Sequence, residues 1–388
     1  MNVILVSENY APSTGATAQL MSDLAQGLAA RGHRLTVLTA TSGASVEAEN
    51  PRVLRLGKVP RESVSLLAKA LRGLRFFIRC CSWLLIHGRA KDQIWIASNP
   101  PFIGVLGLIL RLRGLRYSFI FQDLFPLSAV HSGLLSPHGP VTWLSRRLLG
   151  LVCAASRHTV VLSESMRQGF EQEFGPSSRL HVIHNWAVEQ ASPIARSANP
   201  FAQQLGLVDG FVVQYSGNFG RLHDLDTLLE AALLLKQQPI HFLFIGGGAQ
   251  AESLQRWRQQ HQLNNMQLLP YQPRQRLPES LAVCDLAAIA LRAGVERIVA
   301  PCKLYGILAS GKAVLLIASR HCELARMLQQ AGCALVVEPG EAQQLAEALQ
   351  ELQADPQRLA AMGERSRALY AARFGRERSI DAYAALLA

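Results

Sequence analysis

The segment FVVQYSGNFGRLHD, residues 211–224, decides the fold of this chain. Its first five residues, Phe211–Tyr215, are mostly apolar and rich in β-branched and aromatic side chains, which is typical of a buried strand. Two glycines follow at Gly217 and Gly220, and a helix is predicted from Asp224 to Gln237. Buried strand, glycine turn and helix, in that order, form the repeating unit of parallel sheets that are covered by helices.

The same alternation continues on both sides of this segment. Before it, strands are predicted at residues 2–7, 34–39, 53–56, 93–98, 117–122, 158–162 and 180–184. From it onward, strands are predicted at residues 211–215, 240–245, 266–269, 286–290, 314–318 and 334–337. Residues 186–200 contain two prolines and two serines and lack periodicity, so they are interpreted as a linker. The sequence therefore predicts an α/β protein with two Rossmann-like, doubly wound parallel-sheet domains whose strand ends face a shared cleft.

Composition excludes several classes of protein. The chain has 388 residues, of which 49% are hydrophobic and 17% charged, so it is neither a disordered chain nor a coiled coil. Its seven cysteines show no CxxC spacing and no cluster with histidines, so neither a zinc site nor a disulfide framework is predicted. No pair of aspartates is placed for a catalytic metal, and no cofactor is expected. The first residues form a predicted strand rather than a signal peptide, because no basic segment precedes their short apolar run.

Positive charge is concentrated in one region of the first half. Lys and Arg number 39 against 28 Asp and Glu, which gives a net charge of +11. Residues 52–116 hold 13 basic residues against only Glu62 and Asp92. Nucleic acid is not an expected partner of this basic region, because no binding module is recognisable.

A helix predicted near residues 61–87 carries much of this charge. At 100° per residue, a basic stripe that starts at Arg61 and includes Lys69 also contains two large aromatic side chains. Its predicted contacts with an anionic membrane surface are Arg72, Arg75, Phe76, Arg79 and Trp83. The apolar face opposite, expected to be buried, consists of Leu66, Leu67, Leu74, Phe77, Ile78, Leu84 and Leu85. Cations interleaved with aromatic rings suit a helix at a lipid headgroup layer.

Three turns that follow predicted strands carry the candidate chemistry. The first is the Gly217–Gly220 turn with Arg221, the second is Gly246–Gly248, and the third starts at Pro301 and enters a helix at Lys303. Backbone amides at a helix start, together with a guanidinium or ammonium group, suit a phosphate or diphosphate. The Gly246–Gly248 turn is not a GxGxxG motif and lacks the acidic residue that would meet a ribose, so NAD binding is not predicted.

These strings together resemble the retaining glycosyltransferases of family 4, which have the GT-B fold, over essentially the whole chain. The resemblance is carried by residues 10–33, by Gln122-Asp123-Leu124-Phe125-Pro126, by residues 215–221 and by residues 301–312. The last three strings are similar to those of the subgroup with colanic-acid fucosyltransferase-like and L-fucosamine transferase-like enzymes.

The chain departs from the pattern of that family at several positions. Asn218 and His223 stand where the wider family has an arginine and a lysine, so Arg221 would have to supply the missing charge. Two family glutamates align with Ile298 and Gly306, and Glu296 is the candidate to replace the first of them. Cys302 stands where the subgroup usually has serine. These departures bear on the identity of the donor more than on the class of reaction.

The resemblance implies four segments. They are an N-terminal acceptor-side domain at residues 1–190, a linker at 191–200, a C-terminal donor-binding domain at 201–375, and a tail helix at 376–388 that returns to the N-terminal domain. The implied catalytic residues are Asp123, Arg221 and Lys303. The implied donor-binding residues are Gly15, Gly217, Asn218, Arg221, Gly247, Glu296, Cys302, Lys303, Leu304 and Tyr305. Asp123 would orient the acceptor hydroxyl or act as its base.

The expected function is transfer of a sugar from a UDP- or GDP-sugar to a lipid-linked acceptor in the biosynthesis of a bacterial surface polysaccharide. The expected location is cytoplasmic, peripheral on the inner face of the plasma membrane. One alternative is an epimerase or hydrolase of nucleotide sugars on the same fold, which would not need a membrane-facing stripe. The other is a non-catalytic nucleotide-binding membrane scaffold, which the missing glutamates favour.

Overall fold

The computed structural model describes residues 1–13, 15–43, 45, 49–57, 66–187 and 194–387. It divides into two compact units. The first comprises Met1–Val188, Arg297–Ala300 and Arg376–Ala388, and the second comprises Glu189–Glu296 and Pro301–Gly375. Part of the expected linker, 191–193, lies outside the described residues, and the described remainder includes a short 3₁₀ helix at Arg196–Ala198.

The first unit is a seven-stranded sheet with helices in its crossover connections. Its elements are β1 (Asn2–Val6), α1 (Ala16–Ala30), β2 (Arg34–Thr39), β3 (Arg52–Arg55), α2 (Leu66–His87), β4 (Gln93–Ala97), α3 (Val105–Leu112), β5 (Tyr117–Ile120), α4 (Leu127–His131), α5 (Pro140–Ala155), β6 (Thr159–Val161), α6 (Glu164–Phe174) and β7 (Leu180–Val182). The strand order is β3-β2-β1-β4-β5-β6-β7, and every pairing is parallel. The order reverses direction between β1 and β4.

The second unit is a six-stranded sheet of the same kind. Its elements are α7 (Pro200–Leu205), β8 (Phe211–Asn218), α8 (Asp226–Leu234), β9 (Ile240–Gly247), α9 (Ala251–Gln260), β10 (Met266–Leu269), α10 (Leu277–Ala282), β11 (Leu286–Ala290), α11 (Lys303–Ala309), β12 (Ala313–Ile317), α12 (Glu323–Ala331), β13 (Ala334–Val337), α13 (Ala342–Ala354) and α14 (Pro356–Arg373). The order is β10-β9-β8-β11-β12-β13, again all parallel, and it reverses between β8 and β11. The predicted fold class, two doubly wound parallel sheets, is confirmed.

Residues 297–300 were not expected in the first unit. Within that unit Asp123 pairs with Val299 in an isolated bridge, and Leu124 N donates a hydrogen bond to Ile298 O at 2.9 Å. Ile298 is buried in the core of the first unit. The aliphatic side chain of Ile298 therefore gives this short excursion a place in the core, although the local sequence lies between two strands of the second sheet.

The last helix, α15 (Arg376–Ala385), belongs to the first unit and packs against α1. Ile380 is fully buried there, and a Cβ built on Gly27 of α1 would lie 2.3 Å from Ile380 Cδ1. Gly27 thus lets the two helices approach closely. Arg31, just after α1, forms ion pairs with Glu377 at 2.9 Å and with Asp381 at 2.6 Å. Apolar and ionic contacts together hold α15 on α1.

The prediction for the exposed face of α2 was wrong in part. Phe76, expected to contact a membrane, is only 1% exposed and lies in the core of the first unit with Cys80 and Leu84. Leu74 and Ile78, expected to be buried, are 46% and 53% exposed. The helix is therefore rotated about its axis relative to the sequence-based expectation.

Gly73 lies on the buried face of α2. A Cβ there would be 3.0 Å from the Phe102 ring and 3.2 Å from Pro100, so the glycine lets α2 pack closely against these two residues. A plot of hydrophobicity around the helix does not register a glycine as a packing face. Arg61 lies outside the described residues, as do the side chains of Lys69, Leu66 and Leu67. Among the described residues, no helix combines the length and the apolar character that crossing a membrane requires.

Removing the Ile380 side chain should destabilise the protein. Ile380 of α15 is fully buried against α1. Ile380→Ala is therefore expected to lower the free energy of unfolding by about 2–5 kcal/mol, measured by urea denaturation. The matched control is Ala385→Ser, at an exposed position of the same helix, with an expected change within about 0.5 kcal/mol. Equal stability of the two variants would contradict this packing.

Candidate functional site

The second sheet brings three turns together at one edge. β8 pairs with both β9 and β11, so the turns after these strands leave neighbouring carboxyl ends at the point where the strand order reverses. In open parallel sheets, ligands bind outside the carboxyl ends of the strands at such a point. The residues of these turns are therefore the first candidates for a binding site.

Glycines allow the ends of β8 and β9 to pass very close to each other. Gly246 has φ +146°, and a Cβ there would lie 1.9 Å from Gly217 O. Gly217 itself has φ +129°. A Cβ on Gly248, with φ +143°, would lie 2.4 Å from Asn218 Oδ1, so the Asn218 side chain rests on the next turn. Side chains larger than hydrogen would separate the two turns, which explains the glycines predicted to matter here.

Lys303 points its ammonium group at these turns. It is the first residue of α11, and its Nζ lies 3.4 Å from the centroid of the Tyr215 ring. A Cβ on Gly217 would be 3.6 Å from the same Nζ. Although Lys303 is half-buried as a residue, its Nζ is buried and has no hydrogen-bond partner among the described residues. Burial lowers the pKa of Lys303 to about 7.

His223 lies on the other side of the Tyr215 hydroxyl. Its Nδ1 is 2.8 Å from the Tyr215 hydroxyl and 2.8 Å from Asn218 O, and Gly220 N donates to it at 3.3 Å. Burial, and then the charge of Lys303, lower the pKa of His223 to about 4. His223 is therefore neutral near pH 7, at the position where the wider family has a lysine.

The other predicted donor-binding residues lie on the same three turns or next to them. Arg221 is exposed on the turn after β8 and has no ion-pair partner in the described part of the chain. Gly247 O accepts hydrogen bonds from Phe219 N at 2.8 Å and from the Tyr271 hydroxyl at 3.1 Å. Cys302 is half-buried just before Lys303.

Three further predicted residues have positions that limit their roles. The side chains of Leu304 and Tyr305 are buried, and the Tyr305 ring packs edge-on against Phe374 at 5.3 Å. Their side chains support α11 from the core. Glu296 is buried in a 3₁₀ helix between β11 and α11 and accepts a hydrogen bond from Ser319 N at 3.0 Å. This bond ties the turn after β11 to the turn after β12.

Sequence reasoning missed two aromatic residues of this site. Tyr215 supplies the ring beneath the Lys303 ammonium, and Tyr271, which is 60% exposed, places its ring beside Gly247. Tyr215 had a usable signal, because it is the last residue of a predicted strand that ends in a glycine turn. Tyr271 had none, because it follows β10 in a segment without a recognisable pattern.

The first unit holds a separate polar group at the carboxyl ends of its strands. Asp123 follows β5 and is half-buried; burial raises the pKa of its carboxyl group, and a hydrogen bond from Ser128 opposes this rise. Gly15 precedes α1 with φ −68°, so its position does not require the conformational freedom of glycine. Sequence reasoning missed Glu8, after β1, whose pKa is raised by burial and lowered in turn by the nearby charge of Arg72.

The predicted membrane residues occupy different environments. Arg75 and Arg79 are exposed, and Arg79 Nη1 donates to Leu56 O at 2.8 Å. Arg72 and Trp83 are half-buried, with Arg72 acting on Glu8 and Trp83 stacked on His87 at 4.8 Å. In the described part of the chain, no three His, Cys, Asp or Glu side chains are grouped so as to hold a metal ion.

Comparison with protein families and with solved structures fits this two-unit architecture. Residues 15–186 match the glycosyl transferase 4-like domain, and residues 199–369 match the glycosyl transferases group 1 domain. Sucrose-phosphate synthase of Thermosynechococcus elongatus superposes with a TM-score of 0.80 at 18% identity, covering 99% of this chain and 98% of its own. HepE of Anabaena, solved with UDP and glucose, superposes with a TM-score of 0.76 at 17% identity, covering 100% and 99%. At these identities the solved structures show the shared GT-B fold.

Two curated relatives have similar lengths. The probable glycosyltransferase WbjE of Pseudomonas aeruginosa is 26% identical over 288 residues, which are 74% of this chain and 71% of the relative. The putative colanic acid biosynthesis glycosyl transferase WcaI of Escherichia coli K12 is 25% identical over 361 residues, 87% of this chain and 89% of the relative. With a glycosyl transferase 4-like first domain and a group 1 second domain, the chain belongs to the glycosyltransferases.

Proposed function

We propose that this protein transfers a sugar, with retention, from a UDP- or GDP-sugar to a lipid-linked acceptor in the biosynthesis of a bacterial surface polysaccharide. This polysaccharide is a capsule, an exopolysaccharide or an O-antigen. The observation that carries the proposal is the buried Lys303 amine, which faces a glycine turn in a group 1 domain and has no anionic partner among the described residues. An anionic ligand would stabilise the charged form of this amine, and the diphosphate of a nucleotide sugar is such a ligand.

In the proposed reaction, the acceptor hydroxyl oxygen bonds to the anomeric carbon of the sugar. The bond from that carbon to the diphosphate oxygen breaks, and its electron pair stays with the diphosphate. Lys303 and Arg221 stabilise the charge that gathers on this leaving group. Asp123 orients the acceptor hydroxyl or takes its proton, and the raised pKa of its carboxyl group makes it a stronger base.

The lipid-linked acceptor is supported by an exposed surface on three neighbouring helices of the first unit. α3 packs against both α2 and α5. α2 exposes Leu71, Leu74, Ile78 and Ile86 beside Arg75 and Arg79, and α5 exposes Val141, Trp143, Leu144 and Leu151, with Arg147 over the Trp143 ring. These three helices contain no Asp or Glu. Exposed apolar and cationic side chains on helices that themselves carry no acidic residue fit an anionic membrane surface.

We propose this surface in place of the stripe predicted from sequence. Arg75 and Arg79 remain in it, and the buried Phe76 does not. The protein would then act as a peripheral protein at the inner face of the plasma membrane, where lipid-linked acceptors and cytoplasmic nucleotide sugars meet. The relative named for colanic acid biosynthesis supports the assignment to surface polysaccharides.

Removing either cation of the donor site should reduce turnover. Lys303→Ala and Arg221→Ala are each expected to lower kcat by about a hundredfold to a thousandfold, because each stabilises the leaving diphosphate. The double variant should lose less than the product of the two single losses, because both act on one group. The assay measures release of UDP or GDP with and without acceptor, and Arg256→Ala, exposed on α9, is the matched control.

The same assay separates the proposal from its alternatives. Release that requires the acceptor supports transfer, release without acceptor indicates a hydrolase, and binding without release indicates a scaffold. Near-normal turnover of Lys303→Ala would contradict the role of this lysine.

Asp123 can be tested independently of donor binding. Asp123→Asn should lower kcat by about a hundredfold or more, with an unchanged dissociation constant for UDP or GDP. The dissociation constant is unaffected because Lys303 and Asp123 belong to different units. Ser128→Ala is the matched control, since it removes the hydrogen-bond partner of Asp123 and leaves the carboxylate. If both variants lose activity equally, Asp123 only stabilises its own turn.

The membrane surface is tested by flotation with anionic liposomes. A Leu74→Ser, Ile78→Ser, Arg75→Glu variant should float less than wild type, because it removes exposed apolar area and reverses one charge. Each basic residue contributes about 1 kcal/mol at such a surface, so flotation of wild type should also weaken with salt. Leu234→Ser, at a 52% exposed leucine of the second unit, is the control. Equal flotation of all three proteins would contradict the proposal.

A further inference from the structure

We propose that the donor diphosphate binds together with a proton, which Lys303 takes up from solvent as the nucleotide enters the site. Above pH 7, Lys303 in the free protein is then mostly an uncharged amine, and in the complex it is an ammonium ion. This inference rests on the proposed function, because it takes the turns around Lys303 as the site of a nucleoside diphosphate.

The first support is the position of the Lys303 amine. Its Nζ is buried against the face of the Tyr215 ring at 3.4 Å, and no hydrogen-bond acceptor among the described residues reaches it. An aromatic face attracts a cation only modestly and does not replace the water that an ammonium ion loses on burial. The free site therefore favours the uncharged amine.

The second support is the absence of a counter-charge on the elements that pack around Lys303. The titratable groups that face the amine from β8 and the turn after it are Tyr215 and His223. Among the described residues, only the neighbouring Cys302 shifts the pKa of Lys303 through its charge, and it raises this pKa. β11 and β12 contain no titratable residue.

The helix α14, which also packs against α11, adds no counter-charge either. It buries Met362, Gly363 and Ser366, and it leaves Glu364, Arg365 and Arg367 exposed. Thus no carboxylate of the described residues offsets the Lys303 charge.

The expected proton count follows from the electrostatics. Burial lowers the pKa of Lys303 to about 7, so at pH 8 roughly a tenth of the amine carries a proton. A diphosphate in contact with Nζ favours the charged form and raises this pKa again. The phosphate groups contribute little at pH 8, because their last ionisation has a pKa of about 6. Binding at pH 8 should therefore take up most of one proton for each nucleotide.

Isothermal titration calorimetry measures this uptake directly. UDP and GDP are titrated into the full-length protein at pH 8 in HEPES and in Tris, whose ionisation enthalpies differ. The difference in the measured binding enthalpy gives the number of protons taken up. Between pH 7.5 and pH 9 the dissociation constant should rise by up to about tenfold per pH unit, because the deprotonated form becomes dominant in the free protein.

Three variants identify the group that takes up the proton. Lys303→Arg carries a permanent charge, so its uptake should be near zero and its affinity nearly independent of pH. His223→Asn removes the titratable ring, keeps a side chain that can donate or accept a hydrogen bond, and should take up the proton as wild type does. Lys91→Arg, at an exposed lysine of the first unit, is the matched control and should also behave as wild type.

Each outcome decides a different claim. Nucleotide binding by wild type without proton uptake overturns this inference and leaves the proposed function standing. If proton uptake persists in Lys303→Arg but disappears in His223→Asn, His223 takes up the proton, and this inference is overturned as well. If neither UDP nor GDP binds at any pH, the proposed function fails together with the inference. The wild-type measurement decides whether binding takes up a proton, even if Lys303→Arg does not fold.

Discussion

A lysine amine that is buried without an anionic partner among the described residues is the constraint on which the second unit depends. Lys303 Nζ lies against the Tyr215 ring and beside the Gly217 turn, with no hydrogen-bond partner among the described residues. Protein interiors tolerate such a group only where the surrounding structure fixes it, because its charged form would be strongly destabilising without a partner. Here α11 fixes it from one side, through the buried Leu304 and Tyr305. The free protein thus gives up stability at the point where a charged ligand restores it.

The glycines and the sheet topology serve this same arrangement. The reversal of strand order between β8 and β11 opens a gap above the sheet, since the following helices leave in opposite directions. Close contact of Gly246 with Gly217 brings the turns after β8 and β9 into one surface next to Lys303. Neither feature alone makes a site. A site results because the gap, the close turns and the start of α11 coincide at the end of β8.

The fold was predictable because it depends on features that are local in sequence. Alternating apolar strands, glycine turns and amphipathic helices gave the two doubly wound sheets, and the position of Lys303 before a helix gave its orientation toward the turns. The contacts of Lys303 with Tyr215 and of Gly247 with Tyr271 were not predictable, because they join residues far apart in the chain. The rotation of α2 was missed for a different reason, since the close approach at Gly73 follows from shape rather than hydrophobicity.

Two departures from the family pattern have the same consequence at this site. Where the wider family has an arginine and a lysine, this chain has Asn218, which lies on Gly248, and His223, whose neutral ring is within hydrogen-bond distance of Gly220 N and Asn218 O. Both residues organise the turn rather than supply charge. In the proposed complex, neutralisation of the diphosphate is therefore left to Lys303 and to Arg221, which is exposed and screened by solvent in the free protein. With fewer cations, the free site has less repulsion to overcome, and the protonation state of one lysine decides how much positive charge the ligand meets.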